Sequence, residues 1–217
     1  MKKINFLLLI MVVSVVTSCS KDDVIDGSGE LISEFRNLDY FTKVKSEGVF
    51  EVNIIQGSTQ EVEIIADNNV LRKVKTKVVN NELRLYLDKN SYKDISLIAN
   101  ITVTRLNGLK NSGAGNMYVN DVDEAGEFRI NNSGSADIFI EGSATSFNVK
   151  NEGSGSIMGY DFLVNDCNVD IDGSGNVEVN CSNNLTVHID GSGSVYYKGN
   201  PTIDADISGS GQVIDDN

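Results

Sequence analysis

The chain has 217 residues, a formal net charge of −13, one proline, one histidine and no tryptophan. Of its residues 40% are apolar, enough for the core of one ordinary domain or two small ones. An acidic chain without a basic stripe excludes nucleic acid as a partner and would not hold its body to anionic lipid.

Residues 1–18 read as a targeting segment. Lys2 and Lys3 precede an apolar run from Phe6 to Val16, which is short for a bilayer span. The run ends in Val16-Thr17-Ser18-Cys19, similar to the lipobox of bacterial lipoproteins, in which cleavage precedes a cysteine that then carries the lipid. The competing reading is an ordinary signal peptide followed by a coincidental cysteine. Lipidation of Cys19 would make the membrane a partner, since acyl chains contribute roughly 0.8 kcal/mol per buried CH₂. Residues 19–34 then form a polar tether. Ser20-Lys21-Asp22-Asp23 resembles the acidic export signal of Bacteroidetes surface lipoproteins, although a solvated tether needs the same residues. The expected location is the outer membrane, surface-exposed, with the periplasmic face as the alternative.

Residues 35–105 alternate apolar and polar residues, as strands do. Gln56-Gly57-Ser58, Asp67-Asn68-Asn69 and Asn80-Asn81 interrupt them as hairpin or corner signals. Val44-Lys45-Ser46-Glu47-Gly48 matches Val149-Lys150-Asn151-Glu152-Gly153, which starts a first coil near Val44. This region is expected to cap a stack, or to form its wide first coils, because an uncovered stack end is an open sheet edge.

Residues 106–217 repeat. A glycine recurs at 113, 134, 153, 173, 191 and 209, followed by Ala114, Ser135, Ser154, Ser174, Ser192 and Ser210. Next stand Gly115, Ala136, Gly155, Gly175, Gly193 and Gly211. Four residues before each first glycine lie Leu109, Ile130, Val149, Val169, Val187 and Ala205. Two before it lie Asn111, Asn132, Asn151, Ile171, Ile189 and Ile207. Each unit is a strand, a Gly-Ser-Gly bend, a second strand and a polar turn. One such unit cannot bury its apolar face alone, whereas stacked units turn each column into a ladder. The fold expected is all-β: a right-handed parallel β-helix, or β-solenoid. The bend glycines are expected to adopt positive φ, and the residue between them to be small because successive coils approach there. Asp215 and Asp216 would blunt the far edge by charge.

Other uses of these glycines fit less well. No phosphate-loop motif occurs, and a calcium β-roll needs a nine-residue glycine period. Glu152, Asp172 and Asp190 precede bend glycines in consecutive coils; they are either solvated or hold a hard cation such as calcium. No other cofactor is expected. His188 lies between Asp170 and Asp206 in the outward polar column, with no nucleophile placed beside it, and no catalytic residue is assigned. Cys167 falls in the inward column; a disulfide to Cys181 is an open alternative. Tyr197 is in phase with the core, while Tyr118 and Tyr196 are out of phase and stand as candidate ligand contacts. Tyr160 also follows a bend.

Residues 35–215 resemble a known family. "FTKVKSEGVFEVNIIQGSTQEVEIIADNN", "VVNNELRLYL", "LNGLKNSGAGNMYV" and the Gly-Ser-Gly repeats, in that order, are similar to the "putative auto-transporter adhesin, head GIN domain" family. Its members are mostly secreted or lipid-anchored and common in Bacteroidetes. The resemblance implies a β-helix-like fold and carries over no catalytic or binding residue. The function expected is a non-enzymatic envelope lipoprotein displaying a solenoid for adhesion or assembly, with a protein or glycan as surface ligand. The alternatives are a glycan-binding module marked by Tyr118 and Tyr196, and a polysaccharide-active β-helix enzyme. Lys110 and Lys150 point outward but sit in no convergent acid–base group.

Overall fold

The computed structural model describes residues 24–217; the leader, Cys19 and the Ser20–Asp23 signal lie outside them. The amino-terminal strands are β1 (Ile25–Asp26), β2 (Leu31–Phe35), β3 (Lys43–Ser46), β4 (Glu51–Gln56) and β5 (Glu61–Asp67). After a 3₁₀ turn at Leu71–Lys73 come β6 (Val74–Val79), β7 (Glu82–Leu87), β8 (Tyr92–Lys93) and β9 (Leu97–Val103). The repeat region supplies β10 (Gly108–Asn111), β11 (Met117–Asn132), β12 (Ile138–Asn151), β13 (Ile157–Met158) and β14 (Phe162–Ile171). It ends with β15 (Val177–Ile189), β16 (Val195–Lys198), β17 (Thr202–Ile207) and β18 (Val213–Asp215).

The fold is a parallel β-solenoid. Equivalent residues of successive units pair in register: Leu109 with Ile130, Ile130 with Val149, Val149 with Val169, Val169 with Val187, and Val187 with Ala205. The neighbouring column runs Asn111, Asn132, Asn151, Ile171, Ile189, Ile207. Its three asparagines are buried. The Asn111 amide donates to Asn132 Oδ1 at 2.9 Å and the Asn132 amide to Asn151 Oδ1 at 3.1 Å. Asn151 ends the ladder by donating to the carbonyls of Gly155 and Gly175, after which isoleucines take over. A buried amide costs free energy unless paired, and stacking identical side chains supplies the pairs.

Two stacked faces meet at the Gly-Ser-Gly corner. The first carries the two columns above; the second holds β4 beside Met117–Asn120 of β11, then the equivalent strands out to β18. Phe128, Phe147 and Phe162 fill the interior, with Phe162 edge-on to the other two at ring separations of 5.4 and 5.0 Å.

The corner glycines correct one sequence expectation. None of those from Gly113 to Gly211 has positive φ; among glycines that conformation belongs to Gly29, Gly142, Gly199 and Gly48, the last being the corner glycine of the first coil. Instead, a Cβ on Gly134, Gly153, Gly173, Gly191 or Gly209 would overlap the carbonyl oxygen of the equivalent glycine one coil earlier. The central serine's N–H donates to that same carbonyl, as from Ser154 to Gly134 (3.1 Å) and from Ser174 to Gly153 (3.0 Å). The ladder thus continues through the corner at a distance only glycine allows. The central Ser135, Ser154 and Ser174 side chains face solvent, so close approach selects the glycines rather than the residue between them.

The solenoid extends into the amino-terminal part. β3 pairs in parallel with β10, placing Val44 beside Leu109, and β7 pairs with β3. β6 then closes an antiparallel hairpin on β7, with Asn80 and Asn81 both at positive φ in its turn. On the second face β9 lies between β4 and β5, so the Gln56-Gly57-Ser58 break leads to a crossover; β2 pairs antiparallel with β5. One sheet therefore contains strands from both sides of residues 105 and 106.

Candidate functional site

Period-two alternation on the second face turns one residue of each coil outward. The resulting column runs Asn53, Tyr118, Phe139, Met158, Glu178, Tyr196, Ile214. All seven are half-buried, as side chains flanked by neighbours on the same face should be. The Tyr118 and Phe139 rings are stacked, with centroids 5.0 Å apart and planes at 9°. Tyr118 and Tyr196, expected to be outward from their phase, thus belong to one stripe. Phe139 and Met158 were missed, although each sits five residues past its bend glycine, in step with Tyr118 and Tyr196.

The stripe opens at its far end into a cleft lined by Met158, Tyr160, Asn176, Glu178, Tyr196 and Asp216. The Tyr160 hydroxyl donates to Asp216 Oδ2 at 2.6 Å, and the Lys198 ammonium lies 4.4 Å from the Tyr160 ring centroid. Burial, then hydrogen bonding to Asp216, pushes the Tyr160 phenol pKa up. Burial and the negative Asp216 also raise the Glu178 carboxyl. The cleft therefore combines two ring faces, a cation and two carboxyl groups. Such a mixture can hold a polar ring compound by stacking and hydrogen bonds.

The remaining sequence candidates are placed elsewhere. Lys150 sits among the acids before the bends, 3.3 Å from Glu152, 3.1 Å from Asp172 and 3.6 Å from Asp170. Asp190 instead accepts a hydrogen bond from Ser208 at 2.8 Å. A lysine thus sits among the carboxylates where a cation was considered. Among the described residues no group of three or more His, Cys, Asp or Glu side chains converges as a metal site. His188 lies in register between Asp170 and Asp206, its Nδ1 3.5 Å from Asp206, and is half exposed. Lys110 is paired with Glu82 at 2.7 Å. Burial pushes the Glu82 carboxyl up, but Lys110 and Arg84 outweigh it and hold its pKa below the usual range. Cys167 and Cys181 are buried and unbridged, and burial raises both thiol pKa values. Tyr197 packs partly against the core.

Stacked coils, in-register apolar columns and an outward column carrying Tyr118, Phe139, Met158 and Tyr196 define a β-solenoid. The chain belongs to the family described as "Putative auto-transporter adhesin, head GIN domain", which matches residues 40–201. No curated protein matches it at the sequence level. Among solved structures it is similar to a "putative adhesin" from Bacteroides fragilis, at 22% identity and TM-score 0.71 over 88% of this chain and 100% of that one. A second "putative adhesin", from Parabacteroides merdae, is 22% identical with TM-score 0.59 over 90% of this chain and 100% of that one. A "putative lipid binding protein" from Parabacteroides distasonis is 21% identical with TM-score 0.55, over 89% and 100%. At these identities the likeness establishes the fold. Among the described residues no helix is long and apolar enough to cross a membrane.

Proposed function

We propose that this protein is a non-enzymatic lipoprotein of the outer membrane, anchored through Cys19 and exposed on the cell surface, whose solenoid serves adhesion or macromolecular assembly. The observation that carries this reading is the Tyr118–Phe139–Met158–Tyr196 stripe. It is a rigid, shallow row of side chains at strand spacings of about 4.8 Å, with Glu178 in the coil between Met158 and Tyr196. Such a row makes many weak contacts with an extended ligand and encloses no deep reaction cavity. The lipobox-like Val16–Cys19 segment and the adhesin family support the placement.

A second reading is favoured by the Tyr160–Tyr196 cleft: capture of a surface polysaccharide, with sugar rings on the exposed aromatic faces and hydroxyls on Glu178, Asn176 and Asp216. A glycan array run beside a pull-down from outer-membrane extracts separates the two. Sugar binding lost in Tyr118→Ala and Tyr196→Ala would establish the glycan module. Protein capture lost in the same variants would establish the adhesin. Unchanged binding in both variants would remove the stripe from either function. Protease shaving of intact cells tests the location: survival of the protein while known surface proteins are cut would put it on the periplasmic face.

A further inference from the structure

The chain is bonded into the fold almost from its first described residue. β1 lies parallel to β8, the Ile25 N–H donating to the Ser91 carbonyl at 2.9 Å and the Gly27 N–H to the Lys93 carbonyl at 3.0 Å. The buried Asp67 carboxylate accepts the Gly29 N–H at 2.7 Å, and the Asn69 amide donates to the Asp26 carbonyl at 2.8 Å. Val24 stands five residues after Cys19, and five extended residues reach at most about 18 Å. A lipid on Cys19 therefore holds the bilayer surface within that distance of Val24.

The part of the fold nearest this attachment is one end of the stack. Asp67 closes β5, and β2 beside it is the terminal strand of the second face; β6 is the terminal strand of the first. On β2, Leu31, Ile32 and Phe35 are 48%, 42% and 61% exposed. The 3₁₀ turn and β6 carry Arg72, Lys73, Lys75 and Lys77, with no acidic residue between Val70 and Asn81. Lys73 lies 3.8 Å from Asp88, whereas Lys75 and Lys77 make no ion pair among the described residues. One cleft joins the two sets, Ile32 and Glu34 lining it together with Leu71 and Arg72. Glu34 is paired with Arg36 at 2.8 Å, and the Glu30 carboxylate accepts from the Asn68 amide at 2.7 Å. Exposed apolar side chains beside unpaired cations suit a surface that is apolar within and anionic at its face. The rest of the stack is opposite in character: residues 106–217 hold 17 acidic and four basic side chains, which lipid phosphates repel.

We propose that the β2/β6 end of the solenoid rests on the phospholipid surface, Leu31, Ile32 and Phe35 entering the headgroup layer and Arg72, Lys75 and Lys77 meeting lipid phosphates. The contact presupposes the Cys19 anchor proposed above. It is shallow, because the N–H and C=O groups on the unpaired side of β2 find partners among headgroups and would lose them in hydrocarbon. It also covers an apolar edge strand that would otherwise pair with another chain. With this end down, the Tyr160–Tyr196 cleft near the other end of the stack points away from the membrane.

The test uses the full-length lipoprotein in vesicles of phosphatidylethanolamine and phosphatidylglycerol. An environment-sensitive fluorophore is placed on Phe35→Cys or, as the distant control, on the exposed Ser192→Cys; Cys167 and Cys181 are buried. Nitroxide-labelled lipid should quench the Phe35→Cys probe and spare the Ser192→Cys probe. Lys75→Glu/Lys77→Glu should cut that quenching at least about twofold. Flotation is read on the same samples. Protein that does not float loses both the anchor and the contact. Protein that floats while its Phe35→Cys probe stays as open to aqueous iodide as the control keeps the anchor and overturns the contact. Quenching that the charge reversal leaves unchanged overturns it too. So does shielding of the same probe in lipid-free Cys19→Ser protein, which would mean that a second copy covers β2.

Discussion

At Gly173 the atom nearest a hypothetical Cβ is the carbonyl oxygen of Gly153, one coil away, and that oxygen already accepts the Ser174 N–H at 3.0 Å. An added methyl group must break this hydrogen bond or push the coils apart. Gly173→Ala is therefore expected to lower unfolding free energy by about 1–3 kcal/mol in urea titration, the usual cost of overpacking. Ser174→Ala, at an exposed side chain, should change it by less than about 0.5 kcal/mol. The importance of these glycines was legible from their phasing. The reason was not, because a bend glycine selected for φ and one selected for close approach leave the same letter in a single sequence. A second residue-scale pattern also went unread. The third residue after each anchor glycine accepts the backbone N–H of its counterpart in the next coil: Asn116 from Asp137, Asp137 from Ser156, Ser156 from Asn176, Asn176 from Ser194 and Ser194 from Gln212. A column of Asn, Asp, Ser, Asn, Ser and Gln looks like turn polarity until the stacking is known.

Between elements, the amino-terminal sheet is tied to the repeat stack by Arg105, which follows β9, and Glu124 of β11. The guanidinium donates to the carboxylate through Nε at 2.8 Å and Nη2 at 2.7 Å, and the Gly126 N–H adds a third bond to the buried carboxylate at 3.0 Å. Hydrogen bonding to Arg105 outweighs burial and holds the Glu124 pKa below its ordinary value. A lowered folded-state carboxyl pKa gives stability that is fully present above the unfolded value of about 4.3 and is lost as pH falls through the folded value. Arg105→Ala leaves the buried carboxylate without its counter-ion and should lower stability near neutral pH. The variant should then lose less than the parent on acidification, as read from denaturation midpoints at neutral and acid pH. Equal acid losses in the two proteins would remove the pair from this role. The elements of residues 35–105 were only partly legible for a related reason. Val44–Gly48 copies the later coils, and Asn80-Asn81 marks a hairpin. The insertion of β9 between β4 and β5, however, is a long-range pairing with no local signal.

Across the whole molecule, one repeated geometry produces both the core and the outward column. Inward columns bury aliphatic side chains and asparagines, while the outward column one residue later carries Tyr118, Phe139, Met158 and Tyr196. The stripe was half legible because the sequence reading looked for tyrosines rather than for the outward phase itself. The cleft with Tyr160, Lys198 and Asp216 was not legible, since it joins residues far apart in sequence.

Both surface and core depend on coils lying directly over one another in the stated register, and paired cysteines test this directly. Asn168 and Thr186 are exposed partners in adjacent coils, about 4.8 Å apart at Cα, within disulfide range. Asn168→Cys/Thr186→Cys should form an intrachain disulfide on mild oxidation, while Asn168→Cys/His188→Cys, two residues out of step, should not. Bridging in the second pair and not in the first would contradict the stacking on which the fold and the outward column both stand.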